Sequence, residues 1–564
     1  MKRLASSILL CFFTLLSSRA ATVLDKDASP PRLIDEGRGY IVLGGEFGNS
    51  SATSPEDIRS NMEKVAAMGL NTVLVPAYWD LTEPREGDFD FALTDCVIDN
   101  ARQNGLGVVF LWFGAWKNSM SCYAPGWVKR DAERFPRART RSGKPLEIVT
   151  PYSEELLKAD KKAFIEWLKH LETYDSAGTV KMVQIENEIG MLEDARDYSG
   201  LAQKAYGEGV PPELTDYLAA NFTDLHPDLR ERWEANGRKM KGSWREVFGD
   251  DIYADEYFMA WSFARYVERL ARAGRDITSR PFYLNAALNS RGRLPGEYPS
   301  AGPLAHLKDI WHAGAPTIDF LSPDIYDTGF EQWTAQYALP DNALFIPEVR
   351  RDDANPAQAY YVIGHHKALG ISPFSIENGD DEYASLLAPA YETIGRLVPL
   401  ITSGNAYEFY DGVLLSREQP QSVLVDGDTR IRLAHFFTLP WDSRATDGHP
   451  WRESGAIIIK LAPDEYLLAG TGVVATFEDL SETTDEVERG EDGFAQTGGE
   501  NRRVSPHGNT SRVGLATVEE VTITPEGDLK RIRTLNGDET HQGRHARISV
   551  DDNKILHITT YRYK

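Results

Sequence analysis

The 564-residue chain predicts a (β/α)8 TIM barrel followed by a C-terminal β-sandwich domain. From about residue 38 to 400, strand and helix patterns alternate. Several of the strands are continuous apolar runs, which is typical of strands buried on both faces of a parallel sheet. After residue 400, short alternating runs separated by Gly and Asp clusters indicate antiparallel strands. Eight strands with helices between them favour a closed barrel over an open doubly wound sheet, which rarely needs eight such units.

The ends of the predicted barrel strands carry an unusual number of polar residues. The strands are expected at Tyr40–Glu46, Thr72–Tyr78, Val108–Phe113, Val180–Glu186, Phe282–Ala287, Phe320–Tyr326, Ala343–Glu348 and Ile371–Ile376. In such a barrel the active site forms where the carboxyl ends of the strands meet. Polar residues lie at these ends: Glu46, Tyr78, Glu186, Glu188, Tyr326 and Glu348.

The helices between the strands have clear start signals. Ser54 is expected to cap a helix that has Pro55 at its first position, and Ser153 to cap the helix from Glu154. The fourth strand is followed by a long excursion, Met191 to Asp251, which contains Trp233 and Trp244. We expect this excursion to shape a substrate pocket, with one of the two tryptophans stacking on a sugar. A peripheral helical insertion with both tryptophans in its core is the alternative.

Composition shifts predict three regions in the chain. Residues 1–20 resemble a cleavable signal peptide, with Lys2 and Arg3 before an apolar run and a cut after Ala20. This predicts a secreted or periplasmic protein. Residues 21–400 are expected to form the catalytic barrel and residues 401–564 the β-sandwich. The acidic, Gly-rich stretch from 478 to 513 is expected to be a long mobile loop.

Charge and composition narrow the range of partners. The formal net charge is -24 and no basic patch stands out, which argues against nucleic acid and anionic membranes as partners. The 12 Trp, 24 Tyr and 23 Phe suit a carbohydrate ligand, since aromatic faces stack on sugar rings. The chain has neither His-Glu-x-x-His nor Cys-x-x-Cys, so no metal or other cofactor is expected. A homodimer, and a disulfide between Cys96 and Cys122, are left open.

Two of the strand ends predict glycosidase chemistry. The run from Met182 to Gly190 starts as an apolar strand and ends in Glu186-Asn187-Glu188, and the seventh strand ends at Glu348. Charge at the end of a buried strand is costly unless it has a function. A retaining glycosidase needs a general acid and a nucleophile with carboxyl groups about 5–5.5 Å apart. Glu188 and Glu348 face each other across the predicted barrel mouth and could meet that distance.

The residues beside this pair have expected roles of their own. We expect only one of Glu186 and Glu188 to point into the mouth, and we assign Glu188. Asn187 is expected to donate a hydrogen bond to a sugar hydroxyl, and Tyr326 to hold the nucleophile with its hydroxyl group. Repulsion between the two carboxylates should raise the pKa of the acid.

The run Gln184-Ile185-Glu186-Asn187-Glu188-Ile189-Gly190 resembles the acid/base signature of glycoside hydrolase family 35, the β-galactosidases. The second-strand segment from Asn71 through Trp79 to Phe91 is similar as well, and Ile346-Pro347-Glu348 matches more loosely. The resemblance implies that Asn187 is the activator and Glu188 the acid/base, and more loosely that Glu348 is the nucleophile. Glu46 and Trp79, at the ends of the first two strands, are further expected substrate contacts. The C-terminal region resembles that of a bacterial branch, some members of which remove galactose from xyloglucan side chains.

The chain also departs from the family pattern. Pro76 stands where a strand-two Tyr is usual, with Tyr78 as its replacement, and the usual Cys-Ala-Glu run of strand three is absent. Trp116 or Asn118 is expected to replace that sugar contact. Family 42 β-galactosidases share the Asn-Glu pair and remain a competing assignment.

Together these features predict a retaining exo-β-galactosidase that acts on plant oligosaccharides. Its alternatives are an α-L-arabinopyranosidase, another retaining β-glycosidase such as a β-glucosidase, and, from a different class, a catalytically dead carbohydrate-binding protein.

Overall fold

The computed structural model of the protein describes residues 21–403, 409–439, 442–446, 449–481 and 511–564. The predicted signal peptide, residues 1–20, lies outside the described residues. So does most of the predicted acidic loop. The first part of the chain contains a small antiparallel sheet, the barrel strands and one hairpin. Its strands are β1 (Val23–Asp25), β2 (Arg32–Asp35), β3 (Arg38–Tyr40), β4 (Val42–Glu46), β5 (Thr72–Tyr78), β6 (Gly107–Lys117), β7 (Arg137–Arg139), β8 (Pro145–Val149), β9 (Val180–Asn187), β10 (Phe282–Ala287), β11 (Phe320–Ile325), β12 (Ile346–Val349) and β13 (Gly370–Pro373).

Eight of these strands close into a parallel barrel in the order β4-β5-β6-β9-β10-β11-β12-β13, and β13 pairs with β4 to complete the ring. This confirms the predicted TIM barrel. Every residue of β5, β6 and β9 is buried, as the continuous apolar runs indicated. Strand β6 continues four residues past its predicted end at Phe113, and this extension carries Lys117 to the mouth of the barrel.

Helices surround the barrel and start where the caps indicated. The Ser54 hydroxyl accepts a hydrogen bond from the Asp57 N–H, and Ser153 caps the fifth helix in the same way. The helices are α1 (Pro55–Ala66), α2 (Trp79–Thr82), α3 (Ala92–Gln103), α4 (Gly126–Arg130), α5 (Glu154–Tyr174), α6 (Gly200–Gly207), α7 (Pro212–Ala220), α8 (Pro227–Ala235), α9 (Trp244–Phe248), α10 (Ile252–Arg275), α11 (Lys308–Gly314), α12 (Phe330–Tyr337), α13 (Asn355–Gly364), α14 (Asp381–Ile401) and α15 (Ser443–Thr446).

The excursion after β9 is a helical insertion made of α6 to α9. Trp233 is completely buried and donates its indole N–H to the Lys239 carbonyl oxygen. Trp244 is also buried and packs against Phe248 and Phe258. A side chain enclosed by protein on all sides cannot stack on a sugar, so the expectation for these two tryptophans is wrong. They form the core of the insertion.

The C-terminal part forms two antiparallel sheets. Their strands are β14 (Tyr410–Leu415), β15 (Gln421–Asp426), β16 (Thr429–His435), β17 (Ser454–Ala462), β18 (Glu465–Thr471), β19 (Val473–Asp479), β20 (Arg512–Ile523), β21 (Leu529–Leu535), β22 (Ala546–Ile548) and β23 (Lys554–Tyr563). One sheet has the order β14-β17-β18-β23-β20-β21 and the other β15-β16-β19-β22. Apolar residues of both sheets, such as Leu433 and Ile458, share one core. The predicted β-sandwich is confirmed.

The sandwich packs directly on the barrel through helix α13. A Cβ atom at Gly455 of β17 would lie 2.4 Å from the Ala357 carbonyl oxygen, and one at Gly412 of β14 would lie 2.8 Å from the Gly364 Cα atom. Backbones approach this closely only where a side chain is absent. Glycines therefore seat the six-stranded sheet on the outer layer of the barrel.

The described residues answer the question of the two cysteines, which the sequence left open. Cys96 and Cys122 both carry free thiols, so they do not pair. In the described part of the chain, no helix has the length and apolar character that crossing a membrane requires.

Candidate active site

The end of strand β9 turns sharply, and this turn separates Glu186 from Glu188. Both residues have positive φ angles, 58° and 44°. Non-glycine residues adopt this conformation at a cost, and such residues are common at functional sites. The Glu186 carboxylate points away from the mouth and accepts hydrogen bonds from the backbone N–H groups of Ala115 and Trp116, at 3.1 and 2.8 Å. Glu188 points into the mouth, as assigned from the sequence.

Glu348 lies at the end of β12 within a network of donors. The Tyr326 hydroxyl donates to its Oε2 at 2.5 Å, which is the contact expected from the sequence. Its Oε1 accepts from the side-chain amides of Asn187 and Asn285, each at 3.3 Å. These donors hold the carboxylate in one orientation, as a nucleophile requires.

The separation of Glu188 and Glu348 fits a retaining glycosidase. One carboxylate oxygen of each, together with one of Asp324, lie within 4.8 Å of one another. In retaining glycosidases the two carboxyl groups are roughly 5–5.5 Å apart, whereas inverting enzymes leave about 6.5–9.5 Å for a water molecule. Oxygens this close allow both carboxylates to reach one glycosidic bond.

Lys117 is the cation next to these carboxylates, and the sequence analysis missed it. Its Nζ donates to Asn187 Oδ1 at 2.6 Å and lies 4.0 Å from Glu188 Oε2. The first contact fixes which way the Asn187 amide faces, so that its N–H group points to Glu348. The only signal in the sequence was a charged residue, in the run Trp116-Lys117-Asn118, just beyond a buried strand.

Asp324 and Asn285 were also missed, because each looks like an interior residue of an apolar strand. Asn285 donates to Asp324 Oδ2 at 2.7 Å and accepts at 2.9 Å from the backbone N–H of Glu188. Asp324 is 2% exposed, and within the described residues no donor reaches its Oδ1. Burial, followed by the charges of Glu348 and Glu188, raises the pKa of Asp324 well above its usual range. A protonated Asp324 can donate its own hydrogen to Glu188.

Glu46, an expected sugar contact at the end of β4, lies in the same cluster. It is fully buried, and neither of its oxygens accepts a hydrogen bond from the described residues. Burial and the nearby Glu348 raise its pKa well above the ordinary value. Glu46 is therefore protonated more readily than an ordinary glutamate, and its oxygens have hydrogen-bonding capacity that the described residues leave unused.

The protonation state of Glu188 suits a general acid. Burial, and then the charge of Glu348, raise its pKa to about 7, although Lys117 acts in the opposite direction. The Asn118 amide donates to Glu188 Oε2, so Asn118 contacts the acid itself. A carboxyl that titrates near neutral pH can both give and take a proton during one reaction cycle.

The three close carboxylates could also be read as metal ligands. However, four of their six oxygens already accept hydrogen bonds, from Asn118, Asn285, Asn187 and Tyr326. Lys117 also lies beside the cluster. This arrangement fits proton transfer and hydrogen bonding to a sugar better than the binding of a cation.

Two aromatic residues expected at the site are elsewhere. Trp79 is completely buried and donates its indole N–H to Glu83 at 2.9 Å. Trp116 is completely buried against Tyr266 and donates to the Val149 carbonyl oxygen at 3.1 Å. Neither has a face open to a ligand, so their assignment as sugar contacts is corrected: they are core residues that support the strand ends.

A small cavity of about 120 Å³ opens beside the acid. It is lined by Glu188, Ala287, Leu288, Ser290, Asp324, Tyr326, Asp327 and Trp333. A larger cavity, about 250 Å³, lies between β5, α2 and α3, and none of the four clustered carboxylates lines it. Of these two cavities, the smaller one is lined by carboxyl groups with a raised pKa, Glu188 and Asp324, and by aromatic side chains.

Comparison with known proteins agrees with this geometry over part of the chain. The model of the family "Glycosyl hydrolases family 35" matches residues 32–224. A "Domain of unknown function (DUF5597)" matches residues 387–547, which covers much of the β-sandwich.

Two curated proteins are similar to part of the chain. "Beta-galactosidase-1-like protein 3" of Homo sapiens is 27% identical over 179 residues, which is 31% of this chain and 26% of that protein. "Beta-galactosidase" of Xanthomonas manihotis is 29% identical over 172 residues, 30% of this chain and 27% of that protein. The match thus spans about a quarter of the length of these relatives.

Solved structures are more distant. A β-galactosidase from the haloarchaeon Halorubrum lacusprofundi superposes with a TM-score of 0.44 and 16% identity, over 63% of this chain and 58% of that one. One from Bacillus circulans gives 0.45 and 13%, over 64% and 57%. Similarity at this level carries no argument about substrate. The segment that resembles family 35 contains β4, β5, β6 and β9 and ends beyond Glu188.

Proposed function

We propose that the protein is a retaining exo-β-galactosidase that removes terminal β-D-galactose from plant oligosaccharides, with xyloglucan side chains as one source. The observation that carries the proposal is the approach of Glu188 and Glu348 within 4.8 Å at the mouth of a closed barrel. The names of the curated relatives point to the same sugar. The small size of the cavity beside Glu188 supports the release of single sugars from a chain end.

The reaction would proceed in two displacements. In the first, a Glu348 oxygen bonds to the anomeric carbon while the bond to the leaving oxygen breaks and Glu188 gives that oxygen its proton. In the second, the Glu188 carboxylate takes a proton from water, the water oxygen bonds to the same carbon, and the bond to Glu348 breaks. Each step restores the protonation state that the next one needs.

The neighbouring groups would support these steps in distinct ways. Hydrogen bonds from Tyr326, Asn187 and Asn285 hold the Glu348 carboxylate in one orientation. Lys117 fixes the orientation of the Asn187 amide. Protonated Asp324 stabilises the Glu188 carboxylate by donating a hydrogen bond after Glu188 has lost its proton. The unused oxygens of Glu46 suit hydroxyl groups of the sugar, which would give that buried carboxyl its missing partners.

The test has two parts. A panel of nitrophenyl glycosides should show the highest kcat/KM for β-D-galactoside; a preference for α-L-arabinopyranoside or β-D-glucoside would select one of the other retaining activities. An inactivating 2-fluoro-galactoside should form a covalent adduct on Glu348, visible by peptide mass spectrometry. A label on another carboxylate would contradict the assignment of Glu348 as the nucleophile. The absence of turnover on the whole panel would favour a carbohydrate-binding protein.

We also propose that the protein is exported from the cytoplasm. The charged start, apolar run and small residues before position 21 support a cleavable signal. Expression of the full chain in a bacterial host, followed by N-terminal sequencing of the periplasmic fraction, should find a protein that begins at Ala21.

A further inference from the structure

We infer that Trp333 forms the binding site for the leaving sugar, as an aromatic platform beside the acid/base. This inference rests on the proposed function and extends it, since it names a residue that decides which leaving groups are accepted. The site would take a pyranose ring that presents its C–H face to the indole.

The first support is the exposure of Trp333. Several tryptophans near the barrel, among them Trp79, Trp112 and Trp116, are completely buried. Trp333 is only partly buried, on helix α12, and it lines the cavity that contains Glu188. An indole face that borders a cavity is available to a ligand, whereas an enclosed one is not.

The second support is position relative to the chemistry. The acid must touch the oxygen of the leaving group, so the leaving sugar lies on the Glu188 side of the scissile bond. Glu188 and Asp324 line the cavity, and both are nearly inaccessible to solvent. The partly buried Trp333 lines the same cavity, which places it where a leaving sugar would pass.

The third support is the surroundings of the indole. Helix α12 begins after Gly329, which has φ 88°. A Cβ atom at this position would lie 3.8 Å from two ring atoms of Trp333, in direct contact with the indole. One edge of the ring therefore lies beside the Gly329 backbone, and Leu288 adds an apolar surface to the cavity.

The rim of the cavity supplies polar partners for hydroxyl groups. The Ser290 hydroxyl donates to Asp327, and the Arg350 guanidinium lies 3.8 Å from the same carboxylate. An aromatic face with a polar rim is the usual composition of a sugar-binding site, because a pyranose has apolar faces and a polar edge.

The experiment compares two substrates that differ only in the leaving group. Lactose has a leaving sugar, whereas β-D-galactosyl fluoride leaves as fluoride and has nothing to stack on the indole. Trp333→Ala should lower the ratio of kcat/KM for lactose to that for the fluoride by about fivefold, the range expected for one aromatic contact. Trp333→Phe should restore at least half of the ratio, since it keeps an aromatic face.

Controls separate this role from a structural one. Trp261→Ala removes another half-buried tryptophan, which packs near Arg265 on helix α10, and should leave the ratio unchanged. Trp333→Leu keeps the apolar volume without the aromatic face, and serves if the alanine variant does not fold. With the fluoride as donor and added glucose as acceptor, Trp333→Ala and Trp333→Leu should also transfer less galactose to glucose, relative to water, than the wild type does.

An unchanged ratio in Trp333→Ala and Trp333→Leu, in an enzyme that hydrolyses the fluoride, would overturn the inference and leave the proposed function intact. If the wild-type enzyme hydrolyses neither substrate, the proposed function itself fails.

Discussion

Glu46 and Glu256 are both completely buried glutamates of the same barrel domain, and their surroundings are opposite. Glu256, on helix α10, accepts hydrogen bonds from the Tyr298 hydroxyl at 2.6 Å and the Ala301 N–H at 3.2 Å, and it pairs with His306 at 3.1 Å. Burial alone would raise its pKa, but these partners bring it below the ordinary value. Glu46 has no such donors, and its pKa is raised.

The difference separates structural carboxylates from functional ones. A buried carboxylate with a full set of partners stabilises the fold around it, and removing its charge leaves those partners unpaired. A buried carboxylate without partners destabilises the empty protein, and it is retained where a ligand supplies the missing donors. Glu46 belongs to the second class, and Glu188 and Asp324 lie between the two, since each accepts a hydrogen bond and still has a raised pKa. The following predictions test that division.

The largest effect is expected at Glu188. Glu188→Ala should lower kcat/KM for a β-galactoside with a poor leaving group about a thousandfold, because no acid remains to protonate the leaving oxygen. Activated aryl galactosides should lose much less. Added azide should restore turnover and yield β-galactosyl azide, which is detected by mass spectrometry. Equal losses on both substrate types without an azide product would contradict the role.

Glu256→Gln should have its effect on stability. The amide cannot accept all three contacts and leaves His306 without its ion pair, so the free energy of unfolding should fall by about 3 kcal/mol. Chemical denaturation followed by fluorescence measures this value. The kcat per folded molecule should stay close to that of the wild type. A Glu256 variant as stable as the wild type would break the comparison.

The pH dependence of stability should reveal the raised pKa of Glu188. The pKa of a glutamate in an unfolded chain is about 4.3, whereas the pKa of Glu188 in the folded protein is raised to about 7. Its contribution to stability is therefore complete below pH ~4.3 and is lost as the pH rises to about 7. The Glu188→Gln variant lacks this loss, so its stability relative to the wild type should rise by about 2 kcal/mol between pH 5 and 8.

Parallel denaturation curves of wild type and Glu188→Gln across this range check the sign. A constant difference between the two proteins would mean that Glu188 titrates alike in the folded and unfolded states. The kcat/KM of the wild type should fall above pH ~7 for the same reason, since the acid is then ionised.

The smallest stability change is expected for Glu46→Gln, and its sign is opposite to that of Glu256→Gln. The amide removes a buried carboxyl beside Glu348 and can donate to it, so unfolding should require about 1 kcal/mol more. The same variant should lose about tenfold in kcat/KM if Glu46 binds a sugar hydroxyl. Thermal unfolding and steady-state kinetics on one preparation give both values. Destabilisation of this variant would place Glu46 with the structural carboxylates.

The sequence by itself determined the fold and the pair of carboxylates that meets at the mouth of the barrel. A continuous apolar run must bury both of its faces and pair its backbone N–H and C=O groups. A parallel sheet covered by helices meets both needs, so the eight barrel strands could be located between the helix caps. Carboxylates at the ends of such strands are too costly to be incidental, so Glu188, Glu348 and the supporting Tyr326 could be named from the pattern.

Tertiary structure alone decided which side chains surround that pair. Lys117 reaches the mouth because β6 runs four residues further than its apolar pattern indicated, and Asp324 and Asn285 meet Glu188 only through strand register in the closed barrel. The tryptophans show the same limit: an aromatic residue has the same local pattern in a core and at a binding site. Whether Trp79 and Trp116 are enclosed and Trp333 lines a cavity depends on packing between segments far apart in the chain, which no local pattern encodes.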